Sequence, residues 1–127
     1  MKFKNIFLVD DDADDQEFFK SALNIVSETV VFKSANNGKE AIAMLEENAV
    51  EPEVIFLDWN MPIMNGQEFL EEIKKHQTFK NIPVIILSTS SHYQTITLSR
   101  ELGAKDFITK PNNFGDLVEI LSGFIQR

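Results

Sequence analysis

Apolar runs recur along the chain, and most of them end at a polar residue. Ile6-Phe7-Leu8-Val9 ends at Asp10 and Asp11, and Val54-Ile55-Phe56-Leu57 ends at Asp58. Val84-Ile85-Ile86-Leu87 ends at Ser88, and Phe107-Ile108-Thr109 ends at Lys110, just before Pro111. With one less apolar stretch, these runs predict strands near 4–10, 29–33, 53–58, 83–88 and 105–109. The first, third and fourth are continuous in Ile, Leu, Val and Phe, as strands covered on both faces require.

Helical spacing fills the gaps. The apolar positions are Phe18, Ala22, Leu23 and Val26, then Ala41, Met44 and Leu45, then Phe69, Leu70 and Ile73. A weaker set follows (Tyr93, Ile96, Leu102), and the last is regular: Phe114, Leu117, Val118, Leu121, Phe124 and Ile125. Asn37 and Ser91 are the expected N-caps, and Gly103 is the expected stop of the fourth helix. Five β/α repeats predict a right-handed, doubly wound α/β domain. No linker or low-complexity tract interrupts them, so residues 1–127 read as one domain with no output domain appended.

In such folds ligands bind beyond the carboxyl ends of the strands. Asp10, Asp11, Asp58, Ser88 and Lys110 all map to that edge. Three carboxylates a few Å apart repel one another and raise each other's pKa, and a hard cation removes that cost. Mg²⁺ takes oxygen ligands in an octahedron and keeps several waters. Asp10, Asp11 and Asp58 suit it, with the Asn60 main-chain carbonyl as a further oxygen. Asp12 reads instead as solvent-facing or as a cap on the first helix. Asp14 and Asp15 complete an acidic turn that, taken alone, is an ordinary helix start.

A carboxylate can also act as a covalent nucleophile toward phosphorus, giving an aspartyl-phosphate. That chemistry rests on positioning and charge stabilisation. In this reading Asp58 is the acceptor, with a metal at Asp10 and Asp11 and the Lys110 ammonium on another phosphoryl oxygen. The Ser88 hydroxyl and the main-chain N–H groups after Asp58 serve the remaining oxygens. Each residue has a plainer explanation: Asp58 as a turn cap, Lys110 as a surface lysine with a buried stem, Ser88 as partner of a strand-end amide. The set is far more specific than any member.

Composition narrows the field further. The chain has 127 residues, 43% of them hydrophobic, with 11 Phe, which is ample for one core. Formal net charge is −8, so direct binding to nucleic acid or anionic lipid is disfavoured. Cysteine is absent, which removes disulfides and thiolate metal sites and is compatible with the expected cytoplasmic location. No apolar run approaches the roughly 20 residues of a membrane span. The short N-terminal apolar stretch meets an acid cluster at once and does not read as a signal peptide. His76 and His92 do not suggest a metal pair, and Met61 and Met64 read as packing.

In several stretches the sequence resembles the receiver domains of two-component response regulators. These are Leu8-Val9-Asp10-Asp11-Asp12, the run from Leu57-Asp58 to Asn65-Gly66, Pro83 to Ser88, and Gly103 to Pro111. The resemblance implies a flavodoxin-like fold of strand order 2-1-3-4-5 and phosphorylation of Asp58 by a histidine kinase or phosphotransfer protein. It implies Mg²⁺, for which Mn²⁺ can substitute, held by Asp10, Asp11 and Asp58, and an often cis Lys110-Pro111 bond. Ser88 stands where Thr is commoner in the family, keeping the hydroxyl but losing a methyl that restricts χ1. Phe107 stands where Tyr or another aromatic is usual.

The implied mechanism is a switch. Phosphate on Asp58 draws the Ser88 hydroxyl inward, Phe107 rotates into the vacated space, and the surface of helix four, strand five and helix five changes. The readout is then an unknown downstream protein or a phosphorelay. Catalysis would be limited to the protein's own autophosphorylation and autodephosphorylation. The segment Leu87 to His92 and the pair Asp14-Asp15 look like regulators associated with phytochrome-type kinases, which implies a homodimer through the fourth and fifth helical faces. Two rivals stand against this reading. A haloacid dehalogenase-type phosphatase would need an acid two residues after its nucleophile, where this chain has Asn60. A phosphorylation-independent interaction module would have no need of all five site residues.

Overall fold

The computed structural model describes residues 3–89 and 92–125. Ten elements alternate: β1 (Asn5–Val9), α1 (Ala13–Val26), β2 (Val31–Ala35), α2 (Gly38–Glu46), β3 (Val54–Asp58), α3 (Gly66–Lys74), β4 (Val84–Ser88), α4 (Tyr93–Glu101), β5 (Asp106–Thr109) and α5 (Phe114–Ile125). The five strands form one sheet in the order β2-β1-β3-β4-β5, every neighbouring pair parallel. This is the expected flavodoxin-like arrangement. The order reverses between β1 and β3, which opens a crevice at their carboxyl ends.

The sheet separates two cores. One holds Phe7, Val9, Ile55, Leu57, Val84 and Ile86 against Ala41 and Leu45 of α2 and Phe69, Leu70 and Ile73 of α3. The other holds Ile6, Leu8, Val54, Phe56, Ile85 and Leu87 against α1 and α5, through Phe19, Leu23, Leu117 and Leu121. Alternate residues of β1, β3 and β4 thus feed opposite cores, which is why Ile6–Val9, Val54–Leu57 and Val84–Leu87 are apolar throughout. Phe56 sits edge-on to Phe19, ring centroids 5.1 Å apart, and to Phe124 at 6.0 Å.

Helix starts follow their caps. Asp12 caps α1, accepting from the N–H groups of Asp14 and Asp15, and Asn37 caps α2, accepting from Glu40 N–H. Asn65 and Glu68 form a reciprocal capping box on α3. Ser91, the expected cap of α4, lies outside the described residues; the N-cap position is His92, whose side chain makes no capping bond. Gly103 follows α4 with φ +104°, a left-handed turn that suits glycine.

Three details depart from the sequence pattern. β2 runs two residues later than 29–33, because it is an edge strand whose exposed and half-buried positions alternate, and its polar Lys33 and Ser34 belong to it. In α1 the core position is Phe19, while Phe18 is 37% exposed and meets Phe114 edge-on at 5.4 Å. Tyr93 is 79% exposed, and α4 buries only Ser99, which explains its weak apolar period.

Candidate functional site

Parallel register sets the site. Val9 pairs with Leu57, Asp58 with Leu87, and Ser88 with Thr109, so the residues that close each strand stand level along one edge. Backbone bonds carry the ladder one residue further. Asp10 N–H donates to Ala35 O at 3.0 Å, Trp59 N–H to Leu87 O at 3.0 Å, and Lys110 N–H to Ser88 O at 2.7 Å. Asp10, Asp58 and Lys110 therefore leave rigid backbone, and what they reach is determined by the sheet.

Asp10 and Asp58 are buried, at 1% and 5% exposure, and Asp11 is exposed. One carboxylate oxygen from each lies within 4.8 Å of the others. Lys110 Nζ donates to Asp10 Oδ2 at 3.1 Å and to Asp15 Oδ2 at 3.0 Å, and lies 3.6 Å from Asp58 Oδ2. Asn60 N–H donates to Asp58 Oδ1 at 3.2 Å, and Asp12 N–H to Asp10 Oδ1 at 3.0 Å. Ser88 is fully buried at the end of β4, and Phe107 is half-buried against the α2/α3 core.

These groups perturb one another. Burial pushes the Asp58 carboxyl up to about 7; the Lys110 ammonium opposes that rise and the Asp10 charge adds to it. Asp10 is also raised by burial, against the Asp12 N–H bond and the Lys110 charge. Burial lowers the affinity of Lys110 for its proton, but the charges of Asp10 and Asp58 and its bonds to Asp15 and Asp10 outweigh it, so the amine is held above its ordinary value. The cluster has too few cations for its acids. Three carboxylate oxygens, two of them on buried and raised groups, make a donor set that fits a hard divalent cation.

The structure brings together Asp10, Asp11, Asp58 and Lys110, as the sequence indicated, and places Ser88 on the same edge. Asp12 is the helix cap. Asn60 touches the acceptor through its N–H. The Lys110-Pro111 bond is trans rather than cis, since no cis peptide occurs among the described residues; trans is the favoured form even before proline. Two contacts had no place in the sequence reading. One is Asp15 on Lys110, and the other is Gln16, whose Nε2 donates to Asp10 O at 2.6 Å and to Asn36 Oδ1 at 3.0 Å. For Asp15 the sequence carries its place in the helix but not its partner. With Asp12 as N-cap, Asp15 is the third helical residue, in the turn nearest the strand ends.

A family model described as the response regulator receiver domain matches residues 6–122. The chain belongs to that family. The receiver domain is 34% identical over 128 residues to response regulator Rcp1 of Synechocystis, covering 94% of this chain and 85% of that protein. Among solved structures it resembles the phosphorylated cyanobacterial phytochrome response regulator RcpA, with a TM-score of 0.87 and 37% identity over 95% of this chain and 90% of that one. It also resembles the Mn(2+)-bound form of Rcp1, with a TM-score of 0.83 and 30% identity over 94% and 91%. Several other curated relatives are longer, and the receiver domain spans 28% of a methylesterase/glutaminase from Treponema denticola. Membership in this family sets the chain apart from the haloacid dehalogenase-type phosphatases. The acidic pocket of Asp10, Asp11 and Asp58 is the one expected of a receiver that takes a phosphoryl group on aspartate beside a divalent metal.

Proposed function

We propose that this receiver domain is a phosphorylation switch in which Asp58 accepts a phosphoryl group from a histidine kinase or phosphotransfer protein. One observation carries the reading. The buried Asp58 carboxylate shares a 4.8 Å cluster with Asp10 and Asp11 and lies 3.6 Å from the Lys110 ammonium. An Asp58 oxygen attacks phosphorus and the new O–P bond forms. The donor's P–N bond breaks, and its electron pair returns to the departing imidazole.

Asp10, Asp11 and Asp58, with the Asn60 main-chain carbonyl, would hold Mg²⁺. Mn²⁺ is expected to substitute, in line with the Mn(2+)-bound form of Rcp1. When bound, the cation neutralises phosphoryl charge. Lys110 neutralises another oxygen. Trp59 N–H is already given to Leu87 O, so Asn60 N–H, now on Asp58 Oδ1, is the main-chain donor at hand. Ser88 supplies a hydroxyl from β4.

Phosphorylation then shifts Ser88 and Phe107 and remodels the α4–β5–α5 surface, which is read by a downstream protein, a relay partner or a second copy of the chain through α4 and α5. Chemistry is limited to the protein's own phosphorylation and dephosphorylation. A cytoplasmic setting suits this role, and no helix among the described residues is long and apolar enough to cross a membrane.

Trp59 adjoins the acceptor and reports on it. Its fluorescence should change on adding Mg²⁺ and change again on adding acetyl phosphate. The second change should be absent in Asp58→Asn; its persistence there would place the acceptor elsewhere.

A further inference from the structure

We propose that Asp15 is a positioning residue that competes with the phosphoryl group for Lys110, so that the Asp15–Lys110 pair is released when the phosphorylated state forms. This rests on the reading of Asp58 as acceptor.

The lysine is shared unequally. Its Nζ makes hydrogen bonds to Asp15 at 3.0 Å and Asp10 at 3.1 Å, but stands off Asp58 at 3.6 Å, an ion pair only. The amine therefore sits on the α1 side of the site. Asp15 is held there by the cap of α1, since its own N–H donates to Asp12 Oδ1 at 3.1 Å. The pair forms part of the wall of a cavity of about 370 Å³ that also meets Asp10, Phe18, Leu87 and Pro111.

A phosphoryl group on Asp58 adds charge and acceptor oxygens beyond the present carboxylate. Two of the three N–H donors of Nζ are committed to Asp10 and Asp15, and moving Nζ toward a phosphoryl oxygen on Asp58 draws it away from those two partners. The Asp10 side chain is 2% exposed, so water has no access to take the lysine's place there. The Asp15 side chain is 46% exposed, and water replaces the lysine there. Asp15 also stands outside the three-carboxylate cluster, so it acts on the lysine and not as a metal ligand. Of the two hydrogen-bonded partners it is the exchangeable one, and it sets how readily Lys110 turns to the phosphoryl group. A half-exposed pair shifts such an equilibrium by about two- to fivefold.

The test is the affinity for beryllofluoride at saturating Mg²⁺, read by Trp59 fluorescence, beside the affinity for Mg²⁺ alone. Asp15→Asn should bind beryllofluoride about two- to fivefold more tightly, with no gain in Mg²⁺ affinity, and Asp15→Glu should restore the wild-type value. In a Lys110→Ala background the Asp15→Asn gain should vanish. Unchanged or weaker binding by Asp15→Asn overturns the proposal. So does a gain that persists without the lysine, because the effect is then general charge removal, or one matched by tighter Mg²⁺ binding. Wild-type protein that binds Mg²⁺ but no beryllofluoride overturns the phosphoacceptor reading and this proposal with it; wild-type binding with an unresponsive Asp15 overturns this proposal alone.

Discussion

Asp58→Asn should stabilise the metal-free protein while abolishing its chemistry. The ionised Asp58 carboxylate is costly in the folded state, because burial raises its pKa from 3.8 to about 7. A folded pKa above the unfolded one means that the native state holds the proton more tightly between those values. Stability is therefore greatest below the unfolded pKa and falls as pH rises through about 7. Three units at 1.36 kcal/mol each bound the cost of ionisation at about 4 kcal/mol. The asparagine amide brings N–H donors among carboxylates and no charge to bury. Allowing for local relaxation, the expected gain at pH 8 is about 1–3 kcal/mol. For a chain of this length that is roughly 4–10 °C in Tm. The assay is thermal or urea unfolding of both proteins in EDTA at pH 8 and pH 4.5. The gap should shrink severalfold at the lower pH, where wild-type Asp58 is protonated in the fold. Saturating Mg²⁺ should reverse the order, since only the wild type keeps the full ligand set. Equal stability at pH 8 in EDTA, or a gap independent of pH, would refute the claim that burial of this charge is what strains the site.

Other consequences follow from the same geometry. Mg²⁺ must displace a proton from Asp58, so calorimetry should show affinity rising roughly five- to tenfold between pH 6 and pH 7.5; a flat profile would contradict the raised carboxyl. Gly66→Ala should destabilise by about 1–3 kcal/mol in urea melts, because a Cβ there would stand 2.7 Å from Trp59 Cα and 2.9 Å from Asp58 O, both backbone. Ile63 is β-branched, 76% exposed and held at φ 70°, so Ile63→Asn should raise stability by about 1 kcal/mol; a lower Tm would argue against strain in that turn.

What the sequence revealed and what it hid have physical causes. β1, β3 and β4 are covered on both faces, and continuous apolar runs mark them unmistakably. β2 is an edge strand, so its polar half looked like loop, and the pattern placed it two residues early. Of two adjacent phenylalanines in α1 the pattern picked Phe18, whereas packing buries Phe19. Asp10, Asp11, Asp58 and Lys110 were legible because strand ends in a parallel sheet converge by construction. Asp15 was not, because its role depends on where the first turn of α1 points and on the reach of a lysine 95 residues away. Acid–base partners across such separations leave no local period to read.

The central claim is that Asp58 takes up one phosphoryl group in a reaction that depends on a divalent cation held by its acidic neighbours. Intact mass after incubation with acetyl phosphate measures it directly. Wild-type protein with Mg²⁺ should gain a single phosphoryl group, and neither Asp58→Asn nor wild type in EDTA should gain any. Modification of Asp58→Asn at equal yield, or of wild type without a divalent cation, would contradict the account.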